Sequence, residues 1–228
     1  MQFVRAQSQV NGRAAVAVWD GPTRLFHWLL AALFAFSWWS AEYDHLDWHQ
    51  TSGLVLMALV LFRLMWGFFG SSTARFATFL RGPRGVAAYL RGEEPPLPGH
   101  NPLGGWSVFV MLALLVVQIG TGLLAVDVDG IESGPLSYMV SFDDGRTAAH
   151  VHHLAFNLLL ALIALHILAI AFYLVVRRRN LVRPMITGHD HAFPADAKPL
   201  VRAKWWALAV VLAIAAGLTW WVGKGAPH

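Results

Sequence analysis

The chain contains no cysteine. That absence excludes thiolate-bound haem, iron–sulfur clusters and covalently attached c-type haem within this chain. Charge is the second shortage: 13% of the 228 residues are charged, against about 25% in soluble domains. A soluble fold would have to cover its apolar helices with polar surface that the chain does not have. Alternating polarity is missing as well, which excludes a transmembrane β-barrel.

What the sequence has instead is apolar length. Hydrophobic residues make up 57% of it, gathered in five blocks at about 25–41, 51–70, 103–126, 154–176 and 205–222. A helix needs about 20 mostly apolar residues to cross a bilayer, so each block reads as a membrane helix, with the first and last starting or finishing in the interface. No small-x-small cleavage site follows the first block cleanly, and it is read as a retained helix rather than a signal peptide. Eleven tryptophans, mainly near block ends, form an interfacial belt.

The net charge of +4 would suggest a nucleic-acid partner if taken as one number; its distribution excludes that reading. Arg5, Arg13 and Arg24 precede the first block, Arg75, Arg81, Arg84 and Arg91 lie between the second and third, Arg177, Arg178, Arg179 and Arg183 follow the fourth, and Lys198, Arg202 and Lys204 precede the fifth. The two remaining loops are acidic, with Glu42, Asp44 and Asp47 in one and Asp127, Asp129, Glu132, Asp143 and Asp144 in the other. Basic loops face the cytoplasm. The chain is therefore read as a multi-pass protein of a bacterial inner membrane, with a cytoplasmic N-terminus and a periplasmic C-terminus. Residues 1–18 form a cytoplasmic arm, 19–190 a four-helix domain, and 191–228 a linker and fifth helix. Between the second and third blocks, 73–91 has helical spacing suited to the interface, broken by the proline-rich 93–98; residues 127–149 read as an external loop.

Ionisable groups inside membrane helices are costly and mark function. His152 and His166 are fourteen residues apart, close to four whole turns, so both rings share one face about 21 Å apart along the axis. That is the separation of two haems stacked in one bilayer. His150 and His153 leave that face. Each haem needs a second axial ligand: His49, at the external start of the second helix, pairs by depth with His152, and His27 pairs with His166. Taken alone, His27 and His49 are equally explained as half-solvated interfacial residues. Arg63, fourteen after His49, shares its face and suits a haem propionate or the cytoplasmic headgroups. Arg24 has the same two readings. Gly53, four after His49, admits either a macrocycle or close helix packing, and Gly120 and Gly122 are read as packing residues. His45, His100, His189, His191 and His228 lie in loops or at the terminus, and the His189-Asp190-His191 triplet is read as a solvated linker rather than a metal site.

The pieces Arg24-Leu-Phe-His27-Trp28, His49-Gln-Thr-Ser-Gly53 with Arg63, His152-His153-Leu-Ala-Phe-Asn157 leading to His166, and Pro184-Met-Ile-Thr-Gly188 resemble the prokaryotic cytochrome b561 family, including the di-haem cytochrome b subunits of membrane-bound nickel–iron hydrogenases. The resemblance covers about residues 19–190. It implies an all-α membrane protein: a four-helix transmembrane di-haem bundle, here with a fifth C-terminal transmembrane helix in addition. It also implies two haem b groups, each held by two histidines, with the ligands falling on His27, His49, His152 and His166. The implied activity is electron transfer between an external redox protein (a hydrogenase subunit or a c-type cytochrome) and the membrane quinone/quinol pool. Alternatives are a superoxide oxidase passing electrons to quinone and a non-redox anchor or transporter subunit. The sequence leaves a homodimer open.

Overall fold

Asp20 starts the first long helix. Its carboxylate accepts a hydrogen bond from the Thr23 N–H at 2.7 Å, and Pro22 sits in the first turn, where its missing N–H costs nothing. In this computed structural model, which describes residues 15–93, 98–128, 133–193, 198 and 200–224, the resulting helix α1 runs Gly21–Glu42. A tight turn with Asp44 at φ 58° leads into α2, Leu46–Phe69. Two short helices follow, α3 at Phe76–Phe79 and α4 at Pro83–Leu90, so the single helix expected over 73–91 is interrupted where Gly82 and Pro83 break the hydrogen-bond ladder. Asn101 caps α5, Pro102–Leu124, by accepting from the Gly104 N–H at 2.7 Å.

Helix α6 spans Phe142–Val175. It begins twelve residues before the apolar block because Ser141 accepts from the Asp144 N–H and caps it there. At 34 residues it is about 51 Å long, well beyond the hydrocarbon core. The expected external loop is shortened accordingly, since 142–149 is helix. Helix α7, Val182–Thr187, closes on Gly188 at φ 84°, and α8 occupies Trp205–Lys224. Strands β1, Val16–Ala17, and β2, His189–Asp190, pair antiparallel and tie the segment before α1 to the segment after α7. Arg5, Arg13, the prolines of 94–97, Asp129, Gly130, Glu132 and His228 lie outside the described residues.

Among the described residues, α2, α5, α6 and α8 are long and apolar enough to cross a membrane. Helix α1, with 22 residues, has the length, but Ser37, Ser40, His27 and three tryptophans lower its hydropathy. The chain is thus an all-α, multi-pass membrane protein. Nine of the eleven tryptophans are exposed or face outward as an interfacial belt would. Trp66 does not: it is 2% exposed and donates to Asp20 Oδ2 at 3.0 Å, fastening the end of α2 to the start of α1. Trp19 also turns inward, packing edge-on against His100.

Helix α2 is the centre of the bundle, packed against α1, α5 and α8. Phe26, Val60, Phe62, Trp66, Leu112, Leu115 and Leu159 form the core, joined by Val211 and Ala215 from α8. The backbone of Ser72 pairs with Val201 at 2.9 Å and anchors the linker before α8. Helix α6 is arranged differently. Among the described residues its close helix–helix packing is with α5 alone. Toward α1 and α2 it makes ring contacts: Phe34 to Phe156 at 6.0 Å, Trp38 to Phe156 at 5.8 Å, and one histidine pair. Directly packed helices approach to about 8–10 Å; here side chains span a wider gap, and the candidate ligands line it.

Candidate functional site

His49 projects from the first turn of α2 and His152 from α6, and their ring centres lie 6.1 Å apart at an interplanar angle of 87°. Two imidazoles bound on opposite sides of one metal ion, each with a nitrogen about 2 Å from it, have ring centres about 6 Å apart. The rings are also held in a fixed tautomer. His49 Nδ1 lies 2.9 Å from the Ser37 carbonyl oxygen, and His152 Nδ1 lies 2.8 Å from the Gln118 carbonyl oxygen. A carbonyl only accepts, so both Nδ1 atoms carry the proton and each Nε2 is an unprotonated acceptor. The Gln118 side-chain amide donates to His152 Nε2 at 3.0 Å and would be displaced by a metal bound there, while the Gln118 carbonyl would keep its hold on Nδ1. This is the outer-shell support that metal-ligating histidines receive.

Two glycines shape this end of the gap. A Cβ built on Gly122 would fall 2.7 Å from His152 Cε1, so only glycine lets the ring lie against α5. Gly122 therefore admits a side chain rather than a neighbouring backbone. Gly53 is the opposite case: a Cβ there would meet nothing within 4 Å. Close helix packing does not explain it, and the open space beside His49 fits a flat macrocycle. His153 is exposed and points away, its ring 6.3 Å from that of His152 at 82°.

The other end of the gap collects His27 from α1, His166 from α6 and Arg63 from α2. His27 and His166 are near enough to interact electrostatically. His27 stands edge-on to Trp28 at 5.0 Å, and its Nδ1 is buried with no hydrogen-bond partner. Arg63 is 2% exposed, lies 5.3 Å over the Phe76 ring and leaves one guanidinium nitrogen without a partner. Asp20 acts on it electrostatically, yet Asp20 already accepts from Thr23 N, Trp66 Nε1 and Ser71 Oγ. No carboxylate among the described residues forms an ion pair with Arg63. A buried cation so placed calls for an anion from outside the protein, as a haem propionate would supply. Arg24 is engaged elsewhere: it donates to the Ile186 carbonyl and lies against Gly188, and with Trp28 bound to the Met185 carbonyl at 3.3 Å it fastens α7 to α1.

His100 lies in a loop, as the sequence implies, but the fold draws it inward. It packs against Trp19 at 4.6 Å and Phe79 at 4.9 Å, with its Nδ1 buried and unpaired. Burial first, then the charges of Arg63, His166 and His27, push its imidazole down to about 3, so it is a neutral ring at physiological pH. Nothing in the local pattern of residues 98–101 announces this, because the aromatic neighbours come from other segments. Gln118 and Gly122 were readable in part: they are four residues apart and so share one face of α5.

Among the described residues no group of three or more His, Asp or Glu converges as a conventional metal site; the histidines come in pairs. Residues 18–188 match the family model described as prokaryotic cytochrome b561. A protein named as a probable Ni/Fe-hydrogenase B-type cytochrome subunit, from Azotobacter chroococcum mcd 1, is 24% identical over 219 residues, covering 80% of this chain and 91% of that protein. No solved structure matches. The family match ends at Gly188, so α8 lies beyond it.

Proposed function

The chain belongs to the prokaryotic cytochrome b561 family, and from that premise we propose that it carries electrons through two b-type haems between an external redox protein and the membrane quinone pool. Family membership establishes the coarser statement, that this is a membrane electron-transfer cytochrome binding haem b. The finer reading places an outer haem between His49 and His152 and an inner haem between His27 and His166. The observation that carries it is the 6.1 Å ring pair with both Nδ1 atoms committed to main-chain carbonyls.

Bound haem supplies reversible one-electron iron chemistry. The protein's own part is positional. Ser37 and Gln118 hold the outer imidazoles by their Nδ1 atoms, which leaves Nε2 as the ligating nitrogen, and two imidazoles per site leave no open position for oxygen or another small ligand. Ala155 and Leu159, 3% and 1% exposed on the gap-lining helix, keep water out and the local dielectric low. Arg63 offsets negative charge at the inner end.

The acidic, exposed Asp44, Asp47, Asp143 and Asp144 cluster at the end carrying the outer site. They suit a basic partner such as a soluble c-type cytochrome, steered by long-range charge; a hydrogenase subunit is the partner that the similar protein's name suggests. The charge pattern supports an inner-membrane location with the N-terminus in the cytoplasm and α1 as a further span, giving a four-helix haem core plus α8. A pyridine haemochrome assay on the purified protein tests the proposal. Two b haems per chain are expected; a colourless protein, or one haem per chain, refutes it.

A further inference from the structure

Beside His27, two further buried polar groups at the inner end have no hydrogen-bond partner within the protein. One is the unpaired guanidinium nitrogen of Arg63, the other His100 Nδ1. They arrive from distant segments, α2 and the turn before α5, yet a continuous aromatic wall joins them. Arg63 lies 5.3 Å over Phe76, Phe76 is 5.7 Å from Phe79, and Phe79 is 4.9 Å from His100. Trp19 closes the far side of His100 at 4.6 Å. Gly99, at φ 102°, makes the turn that delivers the imidazole. Arg63, His27 and His166 all act electrostatically on His100.

Unpaired buried donors are rare in native structures and call for a partner. A cation beside a neutral donor selects for an anion, and a carboxylate offers two oxygens: one for the guanidinium fork, one for the imidazole N–H. Arg63 is also the cation nearest the residues assigned to the inner haem in the reading above, and on that reading the macrocycle's own propionate is the carboxylate at hand.

We propose that Arg63 and His100 together form a clamp for one propionate of the inner haem, with His100 Nδ1 as the donor beside the Arg63 charge. This rests on the two-haem reading. Hydrogen bonding to the propionate disperses its negative charge, and negative charge near iron favours the oxidised state. The clamp therefore raises the potential of the inner haem.

The test is a redox titration of the full chain in lipid nanodiscs, preceded by a pyridine haemochrome count. Absence of haem in the unaltered chain refutes the two-haem reading itself, whereas a count of two lets the clamp be judged alone. His100→Phe keeps the aromatic packing but removes the donor. At a fixed ambient potential it should lower the reduced-to-oxidised ratio of the inner haem about tenfold, a shift of about 59 mV for one electron, with the outer haem unmoved. His100→Gln, which retains a donor, should restore most of that ratio. If the Phe variant fails to load haem, Arg63→Gln against Arg63→Lys carries the same comparison, with Lys retaining the charge. An inner potential unchanged in the loaded variants, or an equal shift of both haems, overturns the clamp and assigns the two donors to buried water.

Discussion

Replacing Gly122 by alanine should remove the outer haem and leave the inner one. A Cβ at that position falls 2.7 Å from His152 Cε1 and 2.9 Å from Nδ1, whereas non-bonded carbons settle at about 3.5–4.0 Å. The ring or the helix must give way by about 1 Å. That displacement acts on the 2.8 Å bond from His152 Nδ1 to the Gln118 carbonyl and carries it beyond hydrogen-bonding range. A buried donor left unsatisfied costs about 1–3 kcal/mol, and loss of an outer-shell partner typically weakens metal binding by about 10–100-fold. Gly120→Ala is the control, because a Cβ there meets nothing within 4 Å. Haem count and reduced-minus-oxidised spectra on purified protein read the result: one haem per chain for Gly122→Ala and two for Gly120→Ala. Two haems of unaltered potential in Gly122→Ala would refute the reasoning, since His152 could not then be the ring that binds iron against α5.

Gly53→Ala probes the other glycine. With no atom within 4 Å of the new Cβ, the protein without haem should gain up to about 1 kcal/mol of helix stability, while the outer haem should bind more weakly; unchanged haem affinity would remove Gly53 from the site. His166→Ala should leave a single haem with the outer site's spectrum, and loss of both haems equally would dissolve the pairing by depth. Tyr89 is pushed up to about 12 by burial and its hydrogen bond to Tyr173. Its raised value favours the neutral phenol in the fold, so its contribution to stability is complete below about pH 10 and is lost as pH rises through 12. Ultraviolet phenolate titration of Tyr89→Phe should lack that late-titrating tyrosine. Electron exchange with a basic c-type cytochrome should slow as salt rises from 0.1 M to 1 M, where the screening length shrinks from about 10 Å to 3 Å; a salt-independent rate would exclude the acidic end as the docking surface.

The apolar helices were legible because membrane insertion imposes long apolar blocks, and so was the approach of His49 to His152, whose rings lie 6.1 Å apart. The boundaries were less so. Helix α6 begins at Phe142 because a single serine caps it, a signal that hydropathy does not weigh. The helix expected over 73–91 divides at Gly82 and Pro83, although both residues were in view. What periodicity could not supply were contacts between segments remote in sequence: Trp66 turning from the belt to Asp20, Gly122 yielding its volume to His152, and His100 folding under Trp19 and Phe79. Each depends on where a partner lies across the bundle, and neither residue type nor spacing encodes that.

The two ends of the gap are prepared differently, and this bears on how haem enters the protein. At the outer end each ligand is tied to the helix beside it within one hairpin: His49 to Ser37 across the α1–α2 turn, and His152 to Gln118 between α5 and α6. Those bonds need no haem, so the outer rings are held in place as soon as the hairpins pack. At the inner end, His27 Nδ1, one Arg63 nitrogen and His100 Nδ1 are buried without partners, each unsatisfied group costing about 1–3 kcal/mol. A ligand that pairs even two of them offsets a sizeable part of a domain's net stability of about 5–15 kcal/mol. On the two-haem reading, the inner haem would be a structural element as well as a carrier. Its loss in His166→Ala should loosen the α3–α4 connector and the turn before α5 while leaving the outer hairpins firm.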